Sequence, residues 1–205
     1  MNLIANNCVG ARLYEVTKQQ FPNPFMWMTY TSEDNFIELV ENYDNINLNS
    51  PKFELEFYGK NTYKTVLVTL NHHIKLHYIH YIQDNSKINP VKELNTNILY
   101  NDILTYAKNK WFTRLKRNTK KPVFLYSFNY MDKSNKHYLN ILNKLLNINT
   151  KYKLIILIHK GVKYTNTKSN INVIECDDSI MNLNGTLLAN KLKNIIFRKE
   201  NEYSL

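Results

Sequence analysis

A chain of 205 residues is long enough for one sizeable core, and a hydrophobic content of 43% argues against disorder. Two widely separated cysteines, Cys8 and Cys176, match neither a disulfide framework nor a zinc-ligand spacing, so a reduced, cytoplasmic compartment is the simplest expectation. The formal net charge of +10 and pI of about 9.4 invite a polyanionic partner such as nucleic acid, anionic lipid or a diphosphate, but Asn and Lys are abundant everywhere, as AT-rich coding produces without selection for a ligand.

The scarce arginines, Arg12, Arg114, Arg117 and Arg198, are more informative than the lysines, because a guanidinium fork binds phosphate bidentately. The N-terminus MNLIANNCVGARL has neither the basic region nor the long apolar run of a secretion signal, and no stretch approaches 18 consecutive apolar residues. No signal peptide and no membrane span are expected.

In chain order, MNLIAN reads as a strand and Cys8 to Gln20 as a helix, ended by FPNP at 21 to 24. TSED at 31 to 34 is a helix start, followed by Phe36, Leu39, Val40 and Tyr43 on one face. Between Phe53 and Ile82 the segments FELEFYG, KTVLVTL and IKLHYIHYI predict a β-rich insertion. Gln83 to Asn97 is polar and reads as a loop. Helical spacing returns from Ile98 to Asn118 through Leu104, Ala107, Trp111 and Leu115, with Lys110, Arg114 and Arg117 on an adjoining stripe.

Residues 121 to 128 then read as a buried strand, 137 to 147 as a helix, 152 to 160 and 171 to 176 as strands, and 185 to 199 as a closing helix. Strands alternating with helices of this length predict an α/β fold: a single Rossmann-like domain over 1–205, mostly parallel, with helices on both faces.

Open parallel sheets bind ligands beyond the carboxyl ends of their strands. Four segments are expected on that rim: Asn6-Asn7-Cys8, Ser127-Phe128-Asn129, His159-Lys160-Gly161 and Asp177-Asp178-Ser179. At a helix N-terminus Cys8 could be a thiolate, the NNC turn could line a ligand, or the cysteine could simply fill a small gap. Asp177 and Asp178 could hold a metal or ribose hydroxyls, or cap the last helix.

His72, His73, His77 and His80 fall in a β-like stretch, where His73 and His77 would share one face and His72 and His80 the other. That alternation argues against a metal centre, and His80, near the strand end, is the better site candidate as a proton carrier. Phe25, Trp27 and Tyr30 could stack on a base or sugar, or plug the end of the sheet. Trp111, Arg114 and Arg117 could clamp a diphosphate, or be packing beside a solvated basic face.

IANNCVGARLY, followed by NPFMWM, FIELVENYDNIN, IKLHYIHY, YAKNKWFTRLKR and KPVFLY, resembles a domain-of-unknown-function family described as exopolysaccharide biosynthesis protein. Its members show a strand ending in SNNCWGG, a PF segment, an IHFLHY-like strand and a KWxRRxxRI-like helix. The resemblance covers roughly residues 3 to 126 and marks Asn6, Asn7, Cys8, Tyr14, Pro24, Phe25, His80, Trp111, Arg114 and Arg117 as the family's positions. It departs at Val9 and Ala11, where the family more often has Trp and a second Gly.

The resemblance implies a glycosyltransferase-like role in surface polysaccharide biosynthesis. A nucleotide sugar would be the donor, a glycan or lipid-linked molecule the acceptor, with no divalent metal, and the protein would sit peripherally at an anionic inner membrane face. His80 or an aspartate would act as base, substrate binding would fall to Asn6, Asn7, Tyr14, Phe25, Trp27, Trp111, Arg114 and Arg117, and Cys8 would be catalytic in the alternative that follows. A related family, described as papain-like cysteine peptidases, offers the alternative of Cys8 as nucleophile and His80 as base. A non-catalytic basic module is the third reading, and the chain shows no nucleic-acid reading helix or aromatic RNA-binding signature.

Overall fold

The computed structural model describes residues 2–7, 9–17, 23–26, 28–58, 63–78, 97–118, 121–128, 131–181 and 185–201. The chain forms two compact units: Met1–Phe21 together with Lys121–Leu205, and Pro22–Lys120 between them in sequence.

The first unit is built on a parallel sheet of β1 (Asn2–Ala5), β6 (Pro122–Ser127), β7 (Lys153–His159) and β8 (Ile171–Cys176), in the order β1-β6-β7-β8. Its register runs from Leu3 opposite Val123 through Leu125 opposite Ile155 to Leu157 opposite Ile174. β1 and β6 are buried at every position, and β7 at all but its first. Runs such as LIILI bury both faces of a parallel sheet and show no alternation.

Helices α1 (Val9–Thr17), α4 (Lys136–Asn147), α5 (Asp178–Met181) and α6 (Gly185–Asn201) complete the unit, with α1 packed on α6. In α4, Asn135 Oδ1 accepts from His137 N at 2.9 Å, and the apolar stripe of Tyr138, Ile141, Leu142, Leu145 and Leu146 is buried.

The expected α/β class and a parallel sheet are present, but the described strands do not bear out a Rossmann-like winding. The described strands progress across the sheet without reversing direction. A doubly wound sheet opens its ligand crevice where the order reverses, and these four strands have no such point.

The second unit is larger than the predicted insertion. It contains β2 (Met28–Tyr30), α2 (Glu33–Asn42), a short 3₁₀ turn, β3 (Lys52–Tyr58), β4 (Tyr63–Leu70), β5 (Ile74–Tyr78) and α3 (Asn97–Lys116). The strands form an antiparallel sheet ordered β2-β5-β4-β3. Alternation gives one face to Phe53, Val66, Val68, Leu70, Ile74 and Leu76, all buried. Lys52, Glu54 and Lys75 point the other way. Ser32 caps α2 by accepting from Asn35 N, and Glu33 and Asp34 occupy its first turn, where carboxylates suit the helix dipole.

The β4–β5 connection corrects the reading of the histidine row. Asn71 and His72 adopt φ of 47° and 70°, and His73 N donates to Leu70 O at 3.1 Å. These are the features of a primed hairpin turn, whose twist matches that of the strands it joins. His72 and His73 therefore belong to a turn, and His77 alone of the described histidines in this stretch is on a strand. His73 pairs with Glu38, and His77 lies 3.8 Å from Glu56. Among the described residues no helix is long and apolar enough to cross a membrane.

Gly10 shows how closely α1 approaches β1. A Cβ there would lie 2.6 Å from the Cβ of Ala5, an atom fixed to the strand backbone. Gly10→Ala should therefore lower stability by about 1–3 kcal/mol through overpacking, although alanine favours a helix by about 1 kcal/mol. A fall in the urea midpoint at unchanged m-value is the expected result.

Candidate functional site

Because β1, β6, β7 and β8 are parallel, the segments after them emerge on one rim of the first unit. Three local devices organise it. The Asn6 side chain grips the end of β6, with Nδ2 donating to Ser127 O at 3.2 Å and Oδ1 accepting from Ser127 N at 2.9 Å. Asn7 Oδ1 accepts from Val9 N at 3.0 Å and starts α1. Just past β7, Lys160 N donates to the O of Cys176, the last residue of β8, at 2.8 Å, extending the β7–β8 ladder to its end.

The ionisable cluster lies at the ends of β7 and β8. His159 Nδ1 is 2.9 Å from Asp178 Oδ1, and Lys133 Nζ is 2.8 Å from Asp178 Oδ2. His159 N donates to Tyr138 Oη at 3.1 Å, which fixes the backbone from which the imidazole projects. The His159 side chain is 5% exposed, whereas that of Asp178 is 52% exposed. His159 Nε2 is buried and has no hydrogen-bond partner among the described residues.

The hydrogen bond from Lys133, then that from His159, hold the Asp178 carboxyl below its ordinary value. A carboxylate there accepts from Nδ1–H, so a neutral His159 keeps its lone pair on Nε2. A carboxylate that orients an imidazole in this way is the relation that activates hydroxyl and thiol nucleophiles in many enzymes.

Cys176, opposite His159 in the β7–β8 register, is 4% exposed. Burial pushes its thiol up to about 11, with Asp177 adding to the shift, so it is a packed thiol. Burial likewise raises Tyr138 to about 12, opposed by the hydrogen bond from His159 N.

The other expected site residues fall in different places. Cys8, Trp27 and His80 lie outside the described residues. Tyr14 is wholly buried, and its hydroxyl accepts from Leu3 N at 2.8 Å, tying α1 to β1. Phe25, Trp111 and Arg114 are core residues of the second unit. Trp111 is 2% exposed, meets Phe25 and Phe53 edge-on at 5.5 and 6.1 Å, and donates from Nε1 to Leu48 O at 2.9 Å.

Arg114 is 7% exposed and donates to Met26 O at 3.2 Å, while Arg117 is exposed. A clamp for one diphosphate needs both guanidinia on an accessible surface, and this burial gives Arg114 a packing role. A periodic sequence shows which residues share a stripe, but not how deep the stripe lies. Among the described residues no group of three or more His, Cys, Asp or Glu side chains is arranged to hold a metal ion.

The sequence expectation put His159 and Asp178 on the rim without pairing them. Lys133 carried no signal, because it precedes α4 in a polar loop and meets Asp178 only through tertiary folding. A family model described as Domain of unknown function (DUF1919) matches residues 1–90, a shorter span than the resemblance suggested. That match supports a domain-of-unknown-function family for this part of the chain. No curated protein matches the chain.

Two outcomes follow from these placements. In the native chain at pH 8, iodoacetamide should leave Cys176 unmodified, as read by peptide mass, and expose it only on unfolding. Asp178 contributes stability that is complete above its unfolded value near 3.8 and is lost as pH falls through its lower folded value. Asp178→Asn should therefore flatten the acid limb of the stability curve below about pH 4.

Proposed function

We propose that the chain is a glycosyltransferase-like enzyme of surface polysaccharide biosynthesis, working at the rim of the parallel sheet with His159 as general base. The observation that carries this reading is the His159–Asp178 pair, with Nδ1 engaged by the carboxylate and Nε2 buried without a hydrogen-bond partner among the described residues. Nε2 is covered, so an acceptor hydroxyl reaches it after a local opening of the rim. The hydroxyl proton then passes to Nε2 as the acceptor oxygen bonds to the anomeric carbon. The bond from that carbon to the donor diphosphate breaks, and the electron pair leaves with the diphosphate.

Asp178 stabilises the imidazolium formed in this step, and Lys133 keeps Asp178 ionised. The donor is a nucleotide sugar and the acceptor a glycan or lipid-linked sugar, which suits a protein at the cytoplasmic face of an anionic membrane. No divalent metal enters the step. The support for sugar transfer in particular is the resemblance of the NNC, PF and KWFTRLKR segments, and Arg114 plays no part in it.

The same pair favours a second reading, a cysteine hydrolase with Cys8 as nucleophile and His159, in place of His80, as base. Cys8 follows β1, two strands from β7.

The two readings separate on variants. A thermal-shift screen against nucleotide sugars should give a donor-specific rise in Tm, and no rise with any nucleotide ends the transferase reading. With that donor, His159→Gln should lower turnover by about 10²–10⁴-fold while Cys8→Ser retains it. A hydrolase would show the loss with both variants.

A further inference from the structure

A second polar site lies in the second unit. A groove of about 600 Å³ is lined by the loop at Asn47, Ser50 and Pro51, by the sheet residues Lys52, Glu54, Thr69 and Lys75, and by the hairpin turn at Asn71 and His72. Lys52, Thr69 and Lys75 stand in one cross-strand row, since Thr69 is opposite Lys52 on one side and Lys75 on the other. Thr69 is 8% exposed and forms the floor, with an exposed lysine on each flank.

The groove is built on fixed parts. Asn71 Oδ1 accepts from Asn47 N at 3.1 Å and its Nδ2 donates to Asn45 O at 3.2 Å, fastening the hairpin turn to the opposite wall. The turn itself has an expensive residue. At φ of 70°, His72 occupies a backbone region that costs a side chain other than Gly or Asn of order 1–2 kcal/mol. Asn-Gly is the cheapest sequence for such a turn, yet this chain has Asn-His, with the imidazole exposed beside the groove.

The charges select the ligand. Lys52 is paired with Glu54 at 2.9 Å, while Lys75 makes no ion pair among the described residues. Of the remaining lining, Asn47, Ser50, Thr69 and Asn71 offer amides and hydroxyls, and no Phe, Tyr or Trp lines the groove to serve as a stacking platform. Such a surface recognises a compact ligand with many hydroxyls and an oxyanion, through hydrogen bonds and one unspent cation.

We propose that this groove is a binding site for an acidic saccharide, a hydroxyl-rich ring carrying a carboxylate or phosphate, with Lys75 as its cation and His72 retained in a strained turn to contact it. This goes beyond the transfer chemistry at the rim and does not depend on it.

The test uses the full chain and calorimetric titration with galacturonate trisaccharide, glucose 6-phosphate, neutral maltotriose and inorganic phosphate. Binding of either acidic sugar, at least tenfold tighter than maltotriose and than free phosphate, is the expected result; the stronger of the two identifies the oxyanion. Lys75→Glu should weaken that binding by tenfold or more. His72→Gly should weaken it while raising Tm, because the turn loses its strain, so lost affinity cannot be put down to misfolding.

Absence of binding by both acidic sugars overturns the proposal, as does equal binding of maltotriose or phosphate, or full affinity in both variants. Asp178→Asn, at the rim of the first unit, should leave the titration unchanged. Failure of the groove and failure of the rim are thus read separately.

Discussion

The pairing of β1 with β6 is the constraint on which the rest of the first unit depends. Asn6 and Ser127 are 121 positions apart, yet their amide and peptide groups exchange two hydrogen bonds. Closing a loop of that length carries an entropic cost that grows only with the logarithm of its length. The intervening chain also forms a compact unit of its own, which restricts the conformations open to the loop. Pairing aligns the β1 end with the ends of β6, β7 and β8, and without it Asn7 and α1 would not belong to the rim.

The high net charge is a poor guide to that rim. Lys133 faces Asp178, and Lys160 lies 3.6 Å from Asp177, so the local charges are balanced. Exposed pairs of this kind contribute little stability individually. Their consequence is chemical: they fix Asp178 as a carboxylate, and through it the tautomer of a buried imidazole. A single histidine in a strand sequence is usually a packing residue, and it is this partner that makes His159 different.

The second unit divides its labour between the two faces of one sheet. The inner face builds a core in which Trp111, Phe25 and Arg114 are consumed, the guanidinium giving a buried hydrogen bond to the Met26 carbonyl. The outer face keeps Lys52, Glu54 and Lys75 in contact with solvent. Residues that a resemblance marks as characteristic are therefore not all of one kind, since a packed tryptophan and a ligand-binding one leave the same trace in a sequence.

What the sequence determined by itself was local and periodic. Runs such as LIILI read as strands, TSED began a helix, and strands alternating with helices implied a parallel sheet whose ends carry Asn6, Ser127, His159 and Asp178. The tertiary structure decided everything that needed a partner: strand order, the 22–120 unit with its own sheet, the turn at Asn71 and His72, the burial of Arg114, and the junction of Lys133, Asp178 and His159. The physical reason is range. Helix and strand periodicity is written over ten or so neighbouring residues, whereas burial depth and side-chain pairing depend on groups far away in the chain that only folding brings within 3 Å.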